Sequence, residues 1–279
     1  MKKREQKISR REFVKRLAGG TAIGAAGMGA LLSGLGPSLF VSESLAQEKS
    51  LKYRPLGKTG LKVSEISFGG IYIAEAAVLA AAIDKGVNLI HTSYKYQRGD
   101  GLRMFGEVLK KPGVREKVYL AIQADKYGPT EDRVDRTLQA LHTDYVDMVL
   151  TPIHDLRRVN RPELPELYAR LKEKKKVRFF GLACHSNMAA VMQAAIKRGI
   201  FDVMLVRYDL SHRASLDPLV AEAKKAGMGF MAMKTVKEYR EGSYKDTLKK
   251  LLENKDVDAL LVGMKDIQEV EEDLSASSG

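Results

Sequence analysis

The sequence predicts an α/β fold of the (β/α)8 TIM-barrel class, formed as a single domain behind a leader of about fifty residues. Eight short apolar runs, each of a kind that forms a buried parallel strand, alternate with eight helical patterns. The length of 279 residues also fits, because one such barrel usually takes roughly 200 to 250 residues. We therefore expect the leader to span residues 1–46 and the barrel residues 47–279.

The elements follow one another regularly. A turn-rich piece, Leu56–Gly60, predicts a small hairpin before the first buried strand. The predicted strands lie near residues 65–68, 87–90, 118–122, 145–150, 177–182, 203–206, 229–232 and 259–262. The predicted helices lie near residues 74–85, 101–111, 131–142, 163–175, 188–198, 216–226, 244–254 and 266–274. An open doubly wound sheet is the alternative, but no glycine-rich phosphate loop follows the first strand.

The leader has the three regions of an export signal in the right order. Residues 9–15, SRREFVK, resemble a twin-arginine translocation signal. A Gly/Ala-rich apolar segment follows from about residue 17 to 35, and Ser44–Ala46 is a small-x-small cleavage site. We therefore expect the twin-arginine translocase as a partner, and localisation in the periplasm or at the outer face of the cytoplasmic membrane. The alternative, an uncleaved membrane anchor, fits less well with the glycine content of this segment.

Charge and cysteine content exclude some classes of function. The net charge is +12, and the part of it outside the leader is spread along the chain. No basic patch is interleaved with aromatic residues, so we expect no nucleic-acid partner. Cys184 is the only cysteine, which excludes an intramolecular disulfide.

Residues Val87–Tyr96, VNLIHTSYKY, run from a buried strand directly into polar groups that can move protons. In a (β/α)8 barrel, the residues that follow the strands form the active site. The surrounding segment DKGVNLIHTSYKYQRGDGLRMFGEVLK and the opening YRPLGKTGLKVSEISFGG resemble the aldo-keto reductase family over about residues 51–274. The resemblance implies hydride transfer between NADP or NAD and an aldehyde or ketone, with a catalytic tetrad of Tyr, Lys, Asp and His.

The tetrad of that family is only partly present here. Tyr96 matches the tyrosine that donates the proton. His91 occupies the aspartate position, and Gln123 occupies the lysine position. The histidine position falls on Pro152, although His154 lies two residues later and could orient the substrate. Without a lysine beside it, Tyr96 should keep a pKa near the free value of about 10.

The cofactor positions are also changed. The resemblance places Tyr208 where an aromatic ring stacks on the nicotinamide, and Cys184 where the nicotinamide amide is held. Lys234 begins the loop that covers the phosphates, and Lys265 matches a basic residue near the adenosine phosphate. Its neighbour Asp266 would repel a 2′-phosphate.

Four histidines, His91, His154, His185 and His212, follow predicted strands and should gather at one face of the barrel. Imidazole binds transition metals, so a metal or redox site is a second hypothesis. Further polar residues follow strands and could bind an anionic or polar ligand, or form internal ion pairs: Asp125, Lys126, Arg207, Asp209 and Lys234.

The predicted function is that of an exported oxidoreductase of aldo-keto reductase type. It would act on a small carbonyl or alcohol substrate, with Tyr96 as the acid/base. The alternatives are a non-catalytic periplasmic binding or accessory barrel that has lost the tetrad, and the histidine metal site.

Overall fold

A computed structural model describes residues 50–124, 128–235 and 244–277. Eight parallel strands form a closed barrel in which neighbours along the chain are neighbours in the sheet. The predicted (β/α)8 TIM barrel is confirmed, and the open-sheet alternative is wrong because the last strand, Ala259–Gly263, pairs with the first barrel strand, Ile66–Gly69, as well as with the strand before it, Gly229–Met233. The leader and Lys126 lie outside the described residues. No helix in the described segments is long and apolar enough to cross a membrane.

The strands and helices lie within a few residues of their predicted positions. The strands are β1 Tyr53–Pro55, β2 Lys62–Ser64, β3 Ile66–Gly69, β4 Leu89–Ser93, β5 Tyr119–Gln123, β6 Val146–Pro152, β7 Val177–Cys184, β8 Val203–Arg207, β9 Gly229–Met233 and β10 Ala259–Gly263. The helices are α1 Ala76–Asp84, α2 Asp100–Leu109, α3 Glu131–Ala140, α4 Leu156–Val159, α5 Leu164–Glu173, α6 Met188–Arg198, α7 Arg213–Lys225, α8 Tyr244–Leu252 and α9 Ile267–Leu274.

The predicted hairpin forms the floor of the barrel. Strands β1 and β2 pair antiparallel. The side chains of Leu56, Leu61 and Val63 pack into the apolar core inside the barrel. Its turn approaches the start of β9 so closely that a Cβ on Gly57 would lie 2.3 Å from the amide nitrogen of Gly229. The end of the barrel formed by the strand N-termini is therefore filled with side chains.

The two ends of the described chain meet at this floor. The amide of Lys52 donates a hydrogen bond to Oγ of Ser277 at 3.2 Å. The Ser277 hydroxyl donates in turn to the Glu65 carboxylate at 3.1 Å. Glu65 also pairs with Arg54 at 2.6 Å, and both side chains are buried. This network joins the hairpin, the first barrel strand and the C-terminal segment.

Each barrel strand contributes to two cores, because alternate side chains point inward and outward. One core fills the barrel interior and includes Leu89, Ala121 and Met148. The other lies between the strands and the helices, and includes Ile90 and Phe180. At the strand C-termini polar residues replace the apolar ones, and the barrel interior opens there into a cleft.

Candidate functional site

The cleft at the C-terminal mouth of the barrel has a volume of about 340 Å³. It lies at the ends of strands β3, β4, β8, β9 and β10. The described residues that line it are Gly69, Ile71, Tyr72, His91, Tyr96, Arg207, Met233, Lys234, Thr235, Tyr244, Leu261 and Gly263. A cleft in this place is where the fold class builds its active sites.

Strand alternation explains why His91 points into the mouth. Leu89 and Ala121 lie in the inner core, and His91 stands beside Ala121 in the β4–β5 register. Every second residue points the same way, so His91 belongs to the next inner layer, and it lines the cleft. Gln123 follows Ala121 by the same count, but it borders a separate recess with Tyr94 and Pro129 and is not among the described residues that line the cleft.

His91 is a buried, neutral imidazole. Its side chain is 4% exposed, and its Nε2 atom has no hydrogen-bond partner among the described residues. Burial lowers the pKa of His91 to about 4, because the charged form would lose its hydration. The group at the position of the family's aspartate therefore carries no charge at neutral pH.

Tyr96 is half-buried and lies beside His91, with ring centroids 5.8 Å apart. Burial raises the pKa of Tyr96 to about 12. Its hydroxyl forms no hydrogen bond with any residue that the structure describes. The chain leaves Tyr96 through Gln97 and Arg98, both in left-handed conformation with φ of 50° and 59°. Such a backbone is costly for these residue types and fixes the direction in which the chain approaches α2.

Gln123 ends β5 next to Ser93 of β4, and the Ser93 hydroxyl donates to the Gln123 carbonyl at 3.1 Å. Strands β4 and β5 thus hold His91 and Gln123 at the neighbouring places where an Asp–Lys pair would be expected. Neither residue carries a charge that could lower the pKa of Tyr96. Lys126, which could reach in from the following loop, lies outside the residues described.

His154 and His185 form a second pair at the mouth, after β6 and β7. Their ring centroids are 4.1 Å apart. His154 is half-buried, and its Nδ1 atom lacks a partner in the described part of the chain. Burial lowers the pKa of His154, and the charges of His185, Arg158 and Lys234 lower it further. Burial and the Lys234 charge also lower the pKa of His185.

The predicted four-histidine metal site does not form. His212 turns to Asp209, with Nδ1 2.8 Å from Oδ1, and His91 lies against Tyr96. Among the described residues there is no group of three or more His, Cys, Asp or Glu side chains arranged for a metal ion. Of the four imidazoles, His154 and His185 lie together, while His91 and His212 each contact another residue, so the four do not form one site.

Two predicted cofactor residues point away from the cleft. Cys184 is buried in the core between strands and helices, and its thiol donates to the Ser186 carbonyl at 3.0 Å. Tyr208 is fully buried, packs edge-on against Phe230, and donates its hydroxyl proton to Asp217. The assignments of Cys184 and Tyr208 to the cofactor are therefore corrected: on both strands, outward alternation turns the side chain towards the helices.

The two predicted cofactor lysines differ in position. Lys234 is exposed, lines the cleft, and has a left-handed backbone with φ of 51°. Lys265 is exposed just after β10, where its ammonium pairs with Glu269 at 2.7 Å. Lys234 is thus in the cleft itself, and Lys265 is on the surface beside the N-terminus of α9.

The sequence analysis did not identify every residue of the cleft. Met233 is the third inward residue of β9, after Gly229 and Met231, and so reaches the mouth. Tyr72 is 63% exposed and follows the first barrel strand. A count of inward positions from the start of each strand would have identified Met233, but no periodic signal marks Tyr72.

Comparison with known proteins decides the family. Residues 73–259 match the model of the aldo/keto reductase family. The chain belongs to the aldo/keto reductase family. Its similarity to L-galactose dehydrogenase of Arabidopsis thaliana is 25% identity over 283 aligned positions, covering 81% of this chain and 88% of that protein.

Solved structures agree on the aldo/keto reductase fold. A protein from Pseudomonas aeruginosa described as an aldo-keto reductase superposes with a TM-score of 0.71, at 23% identity, covering 85% of this chain and 98% of that one. An aldo-keto reductase from Bacillus halodurans in its holo form gives a TM-score of 0.69, at 18% identity, covering 82% of this chain and 91% of that one. Aldo/keto reductases generally use NADH or NADPH, so the cleft must be tested against such a cofactor.

The residues of the cleft fit a nicotinamide cofactor in charge and in polar groups. Lys234 in the cleft and Lys265 near the N-terminus of α9 supply cations of the kind that phosphates bind. The Nδ1 atom of His154 is buried and has no hydrogen-bond partner among the described residues, so a polar group is left unsatisfied near the mouth. The fit is weakest at Cys184, which occupies the position that holds the nicotinamide carboxamide in the family. Its thiol points towards the helices and away from the cleft.

Proposed function

We propose that this aldo/keto reductase interconverts a small carbonyl compound and its alcohol at the barrel mouth, with NADH or NADPH as the co-substrate. The observation that carries the proposal is that Tyr96 and His91 lie against each other in one cleft of a barrel belonging to this family. A bound nicotinamide cofactor would supply the hydride for the carbonyl carbon, or accept it from the alcohol. The chain itself must bind the substrate and handle the proton.

The proton donor in this proposal is Tyr96. Its pKa of about 12 keeps the phenol protonated at neutral pH, so it can donate to a carbonyl oxygen in the cleft. The same pKa makes it a weak acid, since no cation among the described residues stabilises the phenolate. We therefore expect slow turnover, with His91 and His154 orienting the carbonyl group by hydrogen bonds.

Asp266 supports a preference for NADH over NADPH. Its carboxylate caps the N-terminus of α9, accepting from the amide of Glu269 at 2.8 Å. This is the region where Lys265 would meet the adenosine end of the cofactor. A fixed negative charge there repels the 2′-phosphate of NADPH and leaves the 2′-hydroxyl of NADH unaffected.

Export remains part of the proposal. The arrangement SRREFVK, then an apolar segment, then Ser44–Ala46 supports passage through the twin-arginine translocase. That route would deliver the barrel already folded to the periplasm or to the outer face of the cytoplasmic membrane. Fractionation of cells that have the translocase and cells that lack it would test this, and equal distribution in the two would contradict it.

The central experiment is a calorimetric titration of the purified protein with NADH and NADPH. We expect binding of at least one cofactor, with NADH the tighter. No binding up to millimolar cofactor would overturn the reductase proposal and leave a non-catalytic binding barrel. Where binding is found, Tyr96→Phe should abolish carbonyl reduction and preserve cofactor affinity, since the phenol acts on the substrate oxygen.

A matched control is Tyr145→Phe, which removes a phenol from the other end of the barrel. Tyr145 precedes β6 and stacks on Arg115, with the guanidinium carbon 4.1 Å from the ring centroid. We expect this variant to keep full activity. Retained activity in Tyr96→Phe would show that another group donates the proton.

A further inference from the structure

The charged side chains in the described lining of the cleft are all cationic. Arg207 and Lys234 are the two residues concerned, and no carboxylate is among the described lining residues. The nearest acid on the same strand end is Asp209, whose Oδ2 forms an ion pair with Arg207 at 3.6 Å, too long for a hydrogen bond. The other oxygen of Asp209, Oδ1, accepts from the amide of Ser211 and contacts His212.

The guanidinium group of Arg207 is only partly paired within the protein. Its Nε atom is buried and has no hydrogen-bond partner among the described residues. Its side chain remains 29% exposed towards the cleft. An unpaired buried donor costs about 1–3 kcal/mol, and the usual partner of such a guanidinium fork is a carboxylate or phosphate bound through two parallel hydrogen bonds.

The cations lie across the mouth from the proton donor. Arg207 ends β8 and His91 lies on β4, and these two strands are four places apart in the closed ring of eight. Lys234 follows β9, the neighbour of β8. One wall of the cleft therefore carries Tyr96 and His91, while the opposite wall carries Arg207 and Lys234.

Both sets of groups face one cleft of about 340 Å³. A molecule that satisfies both walls has a carbonyl or hydroxyl group at one end and an anionic group at the other. A carboxylate matches the fork of Arg207, and the small cleft volume favours a short chain between the two groups. Lys234 adds to the positive potential without requiring a fixed geometry.

We propose that Arg207 binds the carboxylate of a short oxo acid or hydroxy acid and so determines the substrate class of this enzyme. The proposal that the other end of this substrate reacts rests on the proposed function of Tyr96. The proposal that Arg207 binds an anion does not, since anion binding can be measured without cofactor or turnover.

The test is calorimetric binding of four probes, glycolate, 3-hydroxypropanoate, 4-hydroxybutanoate and 5-hydroxypentanoate, each compared with the uncharged diol of the same length. We expect at least one hydroxy acid to bind ten-fold or more tightly than its diol. Arg207→Gln should remove that difference and leave diol binding unchanged. Arg207→Lys should restore it in part, because charge is kept and the planar fork is lost.

Arg136→Gln is the matched control, since it removes the same charge from an exposed position on α3. We expect it to leave all four affinities unchanged, and thermal unfolding checks that each variant is folded. Equal binding of acids and diols, no binding by any acid, or an unchanged acid affinity in a folded Arg207→Gln would each overturn the proposal. Carboxylate binding combined with failed cofactor binding would disprove only the reductase function.

Discussion

The imidazole of His91 meets the phenol of Tyr96 edge-on, with the ring planes inclined by 72° and the centroids 5.8 Å apart. Burial moves their pKa values in opposite directions, to about 4 for His91 and about 12 for Tyr96. Both groups are neutral over the whole physiological range. The pair therefore supplies hydrogen-bonding groups and no charge, which distinguishes it from a tyrosine activated by an ion pair.

Restoring the ion pair should increase activity. The double variant His91→Asp/Gln123→Lys puts a carboxylate and an ammonium on the neighbouring strands β4 and β5, two residues apart in the register. The cation would stabilise the phenolate of Tyr96 and lower its pKa. We expect kcat for carbonyl reduction to rise roughly ten-fold or more, given what general acids contribute. The pH–rate profile should gain an alkaline limb between pH 7 and 10.

The gain should depend on both substitutions and on the phenol. Gln123→Lys alone buries a cation without its carboxylate, so it should lower stability and give no gain. Adding Tyr96→Phe to the double variant should remove the increase. A double variant with unchanged kcat and unchanged pH–rate profile would show that phenol acidity does not limit the reaction.

Acid should destabilise the fold partly through His91. Its folded pKa of about 4 lies below the unfolded value of about 6.5, so the unfolded state binds the extra proton first. Stability should fall as pH drops from 7 to 4, by up to ~3 kcal/mol from this residue. Urea unfolding at several pH values should show a shallower dependence in His91→Gln. An unchanged slope in that variant would contradict the assignment.

Cofactor preference should respond to Asp266. Asp266→Ser keeps a side chain that can cap α9 and removes the negative charge. We expect NADPH affinity to rise several-fold while NADH affinity stays within about two-fold. Comparison of the two dissociation constants measures the effect, with melting temperature as the check on the cap. A parallel change for both cofactors would place the adenosine end elsewhere.

Asp273 should weaken the protein at neutral and alkaline pH. It lies buried in α9, and burial, together with the nearby charges of Glu269 and Glu272, raises its pKa to about 8. The folded state therefore binds a proton that the unfolded state releases, so stability is present at low pH and is lost as pH rises through about 8.

We expect Asp273→Asn to stabilise the protein by ~1 kcal/mol or more at pH 8, which is about 2–4 °C in melting temperature. At pH 4 the effect should be smaller, because both states then hold the proton more fully. Glu222→Gln removes an exposed carboxylate on α7 and serves as the control. If Asp273→Asn melted at the wild-type temperature at both pH values, the raised pKa of the Asp273 carboxyl group would be contradicted.

The fold could be predicted from the sequence because its signals are local. Each of these signals restricts the backbone conformation over only a few residues. They are apolar runs such as Leu89–Ile90, turns such as Leu56–Gly60, and glycines that end helices, such as Gly86. The closed barrel follows from eight such units in alternation. His91 and Tyr96, which the sequence analysis expected at the active-site face because they follow a strand, both line the cleft.

The site was less predictable because the direction in which a side chain points changes from one residue to the next along a strand. Tyr208 directly follows Arg207, yet one side chain enters the helix layer and the other enters the cleft. The motif match predicted a role for Tyr208 from its residue type. The direction of its side chain, however, depends on the alternation of the strand and is opposite to that of Arg207. Which histidines meet also depended on three-dimensional placement, since His154 and His185 pair while His212 turns to Asp209.

The contact of Lys52 with Ser277 has a practical consequence. Both ends of the described chain leave from the barrel floor, and the cleft opens at the other end. A chain trimmed to the described residues and immobilised through either of these ends would therefore leave the mouth facing the solution. A linker joining the two ends would need only a few residues, so a circularly permuted chain could be cut at a loop of the mouth, where its new termini would report directly on ligand binding.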